Sequence, residues 1–260
     1  MKIYSQQELF DKAKKFDNAS TSFIIASTVL TLSSILVDKF YPELSLFSIT
    51  LNTINCLSII AYVIVDWLFQ WNNIKGNIQK RLNFVDNSFE TNFSGTKLKD
   101  YFSNDNLKAG IYKLAVNSYE NCLFTFEISR RMQKKNWIFT TFILAIFVLS
   151  ACYGEQYIIF ILIQLSLPVL LIQKSIRLSI FVFHVETILK NFQSLFSGLL
   201  TGDEIEKKSG EILRNIIDYE AIISWGSIPL DSKIYDTINP ELSSYWENCK
   251  KDYKIKTSES

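Results

Sequence analysis

Few residues in this 260-residue chain are placed to do chemistry, and most of them are neutral and polar. Ser48, Asn52, Asn55 and Asp66 fall within roughly 60° of one another at 100° per helical residue. Ser20, Ser27, Thr31, Ser34 and Asp38 hold to within roughly 40° of a second line. Hydroxyls and carboxamides in such stripes form hydrogen bonds, and they do so inside long apolar runs. A wet stripe on an otherwise apolar helix faces a neighbouring helix or a water-filled path. Ser27, Thr31, Ser34, Ser48, Asn52, Asn55 and Asp66 are therefore the candidate residues. Two readings stay open for them, a helix seam and a pore lining in an oligomer. Asp66 also reads as an interfacial anchor, where a carboxylate reaches water at little cost.

The elements holding these stripes are uncharged runs. They cover Asn18–Val37 (20 residues), Leu44–Val65 (22), Asn136–Gly154 (19) and Gln156–Gln173 (18). About 20 apolar residues in helix cross the ~30 Å hydrocarbon core of a bilayer. A soluble bundle would need polar positions at regular spacing on an outer face, and Ile158–Ile172 offers only Gln164 and Ser166. The fold expected is all-α and polytopic, with four transmembrane helices in two hairpins and helical cytosolic extensions. Its regions are an N-terminal helix (1–17), a first hairpin (18–71), a cytosolic helical region (72–135), a second hairpin (136–174) and a cytosolic C-terminal region (175–260). The first run lacks a small-residue cleavage pattern and does not read as a removable signal.

Between the runs, Met1–Asp17 reads as a cytosolic lead-in helix or one lying in the membrane interface. Asp38–Glu43, with Pro42, is a turn. Helical spacing of Ile74, Ile78, Leu82, Val85 and Phe89 predicts a helix from Asn72 to about Phe93, followed by a loop over Ser94–Asn106 and a helix over Leu107–Lys135. Tyr153–Gln156 predicts a tight helical hairpin, and Pro168 a kink within the fourth run. Ser175–Leu200 continues that helix, Thr201 or Asp203 caps the next one, and Glu204–Trp225 is amphipathic. Gly226–Pro229 and Asn239-Pro240 predict an irregular segment, and Lys250–Ser260 a frayed tail.

Basic residues set the orientation. Of 27 Lys and Arg residues, only Lys39 falls in the two short turns between the paired runs. The positive-inside rule then puts both termini and the middle region in the cytoplasm, as expected of an inner (plasma) membrane protein. Trp67, Trp71 and Trp137 read as an aromatic belt, and Arg130, Arg131, Lys134, Lys135, Lys174 and Arg177 as residues of the membrane surface.

Signals for catalysis are missing: there is no Walker-type loop, no HExxH and no GxSxG. The chain reads as a non-enzyme with no cofactor and no metal. His184, the single histidine, reads as a packing or interface residue. Cys56, Cys122, Cys152 and Cys249 lack metal-ligand spacing and read as free thiols. A net charge of +1 gives no reason to expect DNA or RNA binding.

Several segments resemble the bacterial SMODS-associating four-transmembrane effector proteins of CBASS-type anti-phage systems. The opening IYSQQELFDKAKKF resembles the start of that family, and Ile78-Gln79 with Phe84–Asp86 and Phe89 resembles its segment after the second span. Tyr119-Glu120-Asn121 and Ile128–Lys134 before Trp137 resemble its lead into the third span. IPLDSKIYDTINPELSSYW resembles its closing segment. The resemblance implies a homo-oligomeric effector that permeabilises the bilayer on a cyclic nucleotide signal from a partner nucleotidyltransferase. It transfers no ligand-contact residue. The competing expectation is a non-catalytic membrane anchor that recruits cytosolic partners.

Overall fold

Between Gln6 and Phe40 the chain holds neither Gly nor Pro, so nothing local stops a helix once it has started. It runs unbroken as α1 (Gln6–Phe40). The computed structural model describes residues 6–95, 104, 106–153, 158–198 and 202–255, without the side chains of 146, 147, 149–153, 158–168, 202 and 203. A single turn of 3-10 helix, Pro42–Leu44, closes the first hairpin and places proline where its missing N–H costs nothing. Next come α2 (Ser45–Phe89), α3 (Ile111–Tyr153), α4 (Ile158–Ser197), α5 (Gly202–Lys207), α6 (Ser209–Gly226) and α7 (Ser232–Asp252). All regular structure among the described residues is helical.

Four expectations change. Residues 6–17 are the first turns of α1, so the lead-in is no separate interfacial helix. Residues 204–225 form two helices, broken at Lys208, where the Ser209 hydroxyl takes the Glu206 carbonyl at 2.8 Å and competes with the backbone ladder. The segment expected to be irregular is so only over Ser227–Asp231; beyond it stands α7, which carries Pro240 in its interior. Asp231 starts it by accepting from the Lys233 and Ile234 amides (2.9 and 3.4 Å). Burial of Ile238, Leu242, Trp246 and Cys249 along one face offsets the roughly 3 kcal/mol cost of an internal proline. The tail is likewise ordered through Ile255, which is buried and donates its amide to the Lys250 carbonyl at 2.9 Å across a left-handed Lys254.

The Ser94–Asn106 loop, the Tyr153–Gln156 turn, Gln164, Pro168 and the Thr201/Asp203 cap lie wholly or partly outside the described residues or side chains.

The chain divides into two compact units. One comprises Met1–Gln6, Ile74–Gln133 and Leu178–Ser260 and has an aromatic core. In it Tyr119 stacks on Phe196 at 5.3 Å between ring centroids and makes a T-shaped contact with Trp246 at 5.2 Å. The hydroxyls of Thr125 and Tyr219 lie 2.9 Å apart in the same core.

The other unit comprises Gln7–Asn73 and Lys134–Arg177. Its small cluster takes one side chain from each of four helices: buried Ile24 (α1) and Leu171 (α4), with half-buried Tyr62 (α2) and Ile143 (α3) packed against them. Most of its other described apolar side chains face outward, Leu46, Ile49, Leu57 and Phe142 among them. α1 and the segment Pro42–Phe89 are long and apolar enough to cross a membrane, each with mean hydropathy 1.8 in its most apolar window. Only 11% of that window in Pro42–Phe89 is buried within the chain, whereas the core helix of a soluble protein is mostly buried.

Candidate functional site

In the apolar unit the two polar stripes meet. Ser27 donates its hydroxyl to Asn55 Oδ1, and Asn55 Nδ2 donates to Thr31 Oγ1 at 2.9 Å. The hydroxyls of Ser34 and Ser48 lie 2.9 Å apart. All five side chains are buried. α1 supplies Ser27, Thr31 and Ser34 at steps of four and three, and α2 supplies Ser48 and Asn55 one heptad apart. One face of each helix thus carries the whole network. Small serines and threonines let the two helices approach closely, and the carboxamide offers both a donor and an acceptor to bridge them. Thr28 instead turns back to the Ile24 carbonyl at 2.9 Å, inside its own helix.

The other two candidates lie off this network. Asn52 is half-buried and takes no part in it. Asp66 is half-buried in the same unit as the Lys174–Asp17 ion pair (3.8 Å). Near that pair Ser175 binds the middle of α3, accepting from Asn136 Nδ2 at 2.8 Å and lying 2.7 Å from Thr140 Oγ1.

Of the residues expected at a membrane surface, Trp67 and Trp71 are exposed, one turn apart, with ring centroids at 6.1 Å. Lys134, Lys135, Trp137 and Arg177 are exposed as well, and Lys174 is half-buried in its ion pair. Arg130 and Arg131 have protein partners. Arg130 lies 3.9 Å from Glu127 and 5.8 Å from the centroid of Phe126, and Arg131 lies 3.9 Å from Glu241 on α7. Their side chains are largely solvated, so these pairs hold them only loosely.

Two features of the aromatic-core unit were not anticipated. The first is an amide network. Asn104 Nδ2 donates to Asn117 Oδ1 (3.0 Å) and Glu120 Oε2 (2.6 Å), while Asn117 Nδ2 donates to Asn87 Oδ1 (3.0 Å). It ties the end of α2 to the start of α3, and Asp86 adds a cap on the chain leaving α2. The Asp86 carboxylate accepts from the Thr91 hydroxyl and Phe93 amide (both 2.7 Å) and from the Ser94 amide (2.8 Å). Burial pushes its pKa upward, but these bonds, with that of the Ser94 hydroxyl, outweigh burial and lower it to about 2.

The second feature is a groove of about 410 Å³ between α4 and α6, lined by His184, Asn191, Arg214, Asp218 and Trp225 among others. His184 is exposed there rather than packed, with its ring edge-on to Phe183 at 5.6 Å. Arg214 stands 3.7 Å from Asp218.

Cys122 is buried, donates to the Val185 carbonyl at 3.6 Å, and has its thiol pushed far above the usual range by burial. Among the described residues no group of three or more His, Cys, Asp or Glu side chains is placed to hold a metal. No family model, no curated protein and no solved structure matches the chain.

Proposed function

We propose that the chain is a four-span, non-enzymatic membrane effector, with the aromatic-core unit in the cytosol and the polar seam as the contact holding its first two spans together. The observation that carries this reading is the inverted distribution of polarity in the apolar unit. Hydrogen-bonding side chains lie inside between helices, and large aliphatic side chains lie outside. Water would favour the opposite arrangement, and a bilayer favours this one. The cluster drawing one side chain from each of four helices supports two further spans in α3 and α4.

The 26-to-one distribution of basic residues supports cytoplasmic termini. With such slender external turns, the cue that governs the protein comes from the cytosol. The resemblance to four-transmembrane anti-phage effectors supplies its class, a cyclic nucleotide from a partner nucleotidyltransferase, and the response, oligomerisation and loss of the membrane barrier.

A second reading, the non-catalytic anchor, is favoured by the closure of the seam's hydrogen bonds within one chain, which turns Ser27, Thr31, Ser34, Ser48 and Asn55 toward one another rather than toward a path. Proteoliposomes loaded with a self-quenched dye separate the two. The effector reading expects dye release when a panel of cyclic di- and trinucleotides is added. Intact vesicles with all nucleotides, at full insertion, would leave the anchor.

A further inference from the structure

The face of α2 that turns away from the chain carries a second regularity. Ile60, Ile64, Trp67, Trp71, Ile74 and Ile78 follow one another at alternating steps of four and three, and each is 49–62% exposed. Steps of three and four give the mean period of 3.5 residues that two helices need to keep one seam in contact over several turns. The inward face keeps the same beat. Ser48, Asn55, Phe69 and Asn83 are all buried and spaced by multiples of seven, which puts them at the heptad position opposite the exposed line.

We propose that this line is the surface on which a second copy of the chain docks, its α2 lying parallel to the first. The inference rests on the membrane reading above for the parallel sense, since copies inserted alike run alike. Three observations favour a second copy over lipid.

The first is width. Before Asp66 the exposed apolar residues, Ile49, Ile54, Leu57 and Val63 among them, spread over much of the helix, as lipid contact allows. After Asp66 they narrow to single file, with Gln70, Lys75 and Asn77 alongside. The second is reach. Ile78 lies 12 residues beyond Asp66, about 18 Å along the axis. The headgroup region is only about 5–8 Å deep on each side. Lipid therefore does not cover Ile74 and Ile78, and water is a poor neighbour for them.

The third is the fit of the line to its own copy. In a parallel pair each Trp meets Trp and each Ile meets Ile, and Lys75, the one charge among the flanking positions, lies across from Gln70 of the second copy. No like charges oppose each other. Pairing would bury roughly 600–700 Å² per chain, close to the ~800 Å² of a standard interface.

The test is a cysteine scan of residues 60–78 in the full-length, membrane-inserted protein, on a Cys56→Ala and Cys152→Ala background that keeps the buried Cys122 and Cys249. Oxidation with copper phenanthroline should give disulfide dimers at Ile60, Ile64, Trp67, Trp71, Ile74 and Ile78. Yields there should be several-fold above those at Val65 and Asn72 and above the background protein. A flat profile, an absence of dimers, or a maximum on another period overturns the seam. Resistance to carbonate extraction, measured on the same membranes, keeps the outcomes apart. Dimers at Ile74 and Ile78 in extractable protein would retain the seam and sink the membrane reading. Inserted protein without dimers would do the reverse.

Discussion

Replacing Asn55 with leucine tests the seam at its centre. The substitution deletes two interhelical hydrogen bonds, one accepted from Ser27 and one donated to Thr31 at 2.9 Å. Interhelical bonds in membranes average ~0.6 kcal/mol and reach ~1.7 kcal/mol, so the pair is worth about 1–3 kcal/mol. The stranded hydroxyls soften the loss. Ser27 and Thr31 can turn to the carbonyl four residues back, as Thr28, Thr50, Thr53 and Ser58 already do at 2.9 Å. The expected cost is therefore about 1–2 kcal/mol, a factor of roughly 5–30 in the folding equilibrium. Asn52→Leu is the matched control, because that carboxamide lies outside the network, and its effect should stay within ~0.5 kcal/mol. Steric-trap unfolding in bicelles reads both values. Equal destabilisation by the two variants, or none by Asn55→Leu, would refute the assignment of the network to the α1–α2 contact. Loss of dye release in Asn55→Leu at unchanged stability would point to a pore lining instead.

Other expectations concern the aromatic-core unit, each read by thermal or denaturant unfolding of the full chain in detergent. A Cβ at Gly226 would come within 2.5 Å of Phe181 Cδ2, whose ring is buried, so Gly226→Ala should cost about 1–3 kcal/mol, and an unchanged midpoint would contradict that packing. Trp246→Ala removes a fully buried ring from its T-shaped contact with Tyr119 and should cost about 3–5 kcal/mol; a cost below 1 kcal/mol would show α7 undocked. Asp231→Ala, by removing the cap of α7, should cost ~1 kcal/mol, with Asp231→Asn recovering most of it. Because the folded pKa of Asp86 is depressed, its stabilisation is fully present above about pH 4 and disappears as pH falls through about 2. After allowance for solvent screening, Asp86→Asn should cost ~1 kcal/mol at pH 6 and nearly nothing at pH 2. A gap that persists at pH 2 would refute the capping role.

Features written within one helix were readable from the chain. The uncharged runs, the Pro42 turn and the stripes containing Ser27, Thr31 and Ser48 each follow from composition and a 100° step. Where packing over long separations decided the outcome, the reading failed. Pro240 signals a break locally, and only the burial of Ile238, Leu242 and Trp246 shows why the helix survives it. Asn87, Asn104 and Asn117 carry no local pattern, and they become a network only when α2 and α3 come together. His184 read as a packing or interface residue, and exposure removes only the first option, since Val185 turns inward while His184 and Phe183 turn out. Trp67 and Trp71 read as an aromatic belt, and their heptad register with Ile74 and Ile78 emerged only when exposure separated one face of α2 from the other.

The proposed topology, four membrane crossings with the aromatic-core unit on the cytoplasmic side, is open to measurement by cysteine accessibility. Single reporters at Lys39, Glu90, Glu155 and Glu247, on the background described above, are exposed to a membrane-impermeant maleimide in intact spheroplasts and again after permeabilisation. Labelling of Lys39→Cys and Glu155→Cys in intact spheroplasts, with Glu90→Cys and Glu247→Cys labelled only after permeabilisation, is the expected result. Equal labelling of all four under both conditions, in protein released by carbonate, would contradict it.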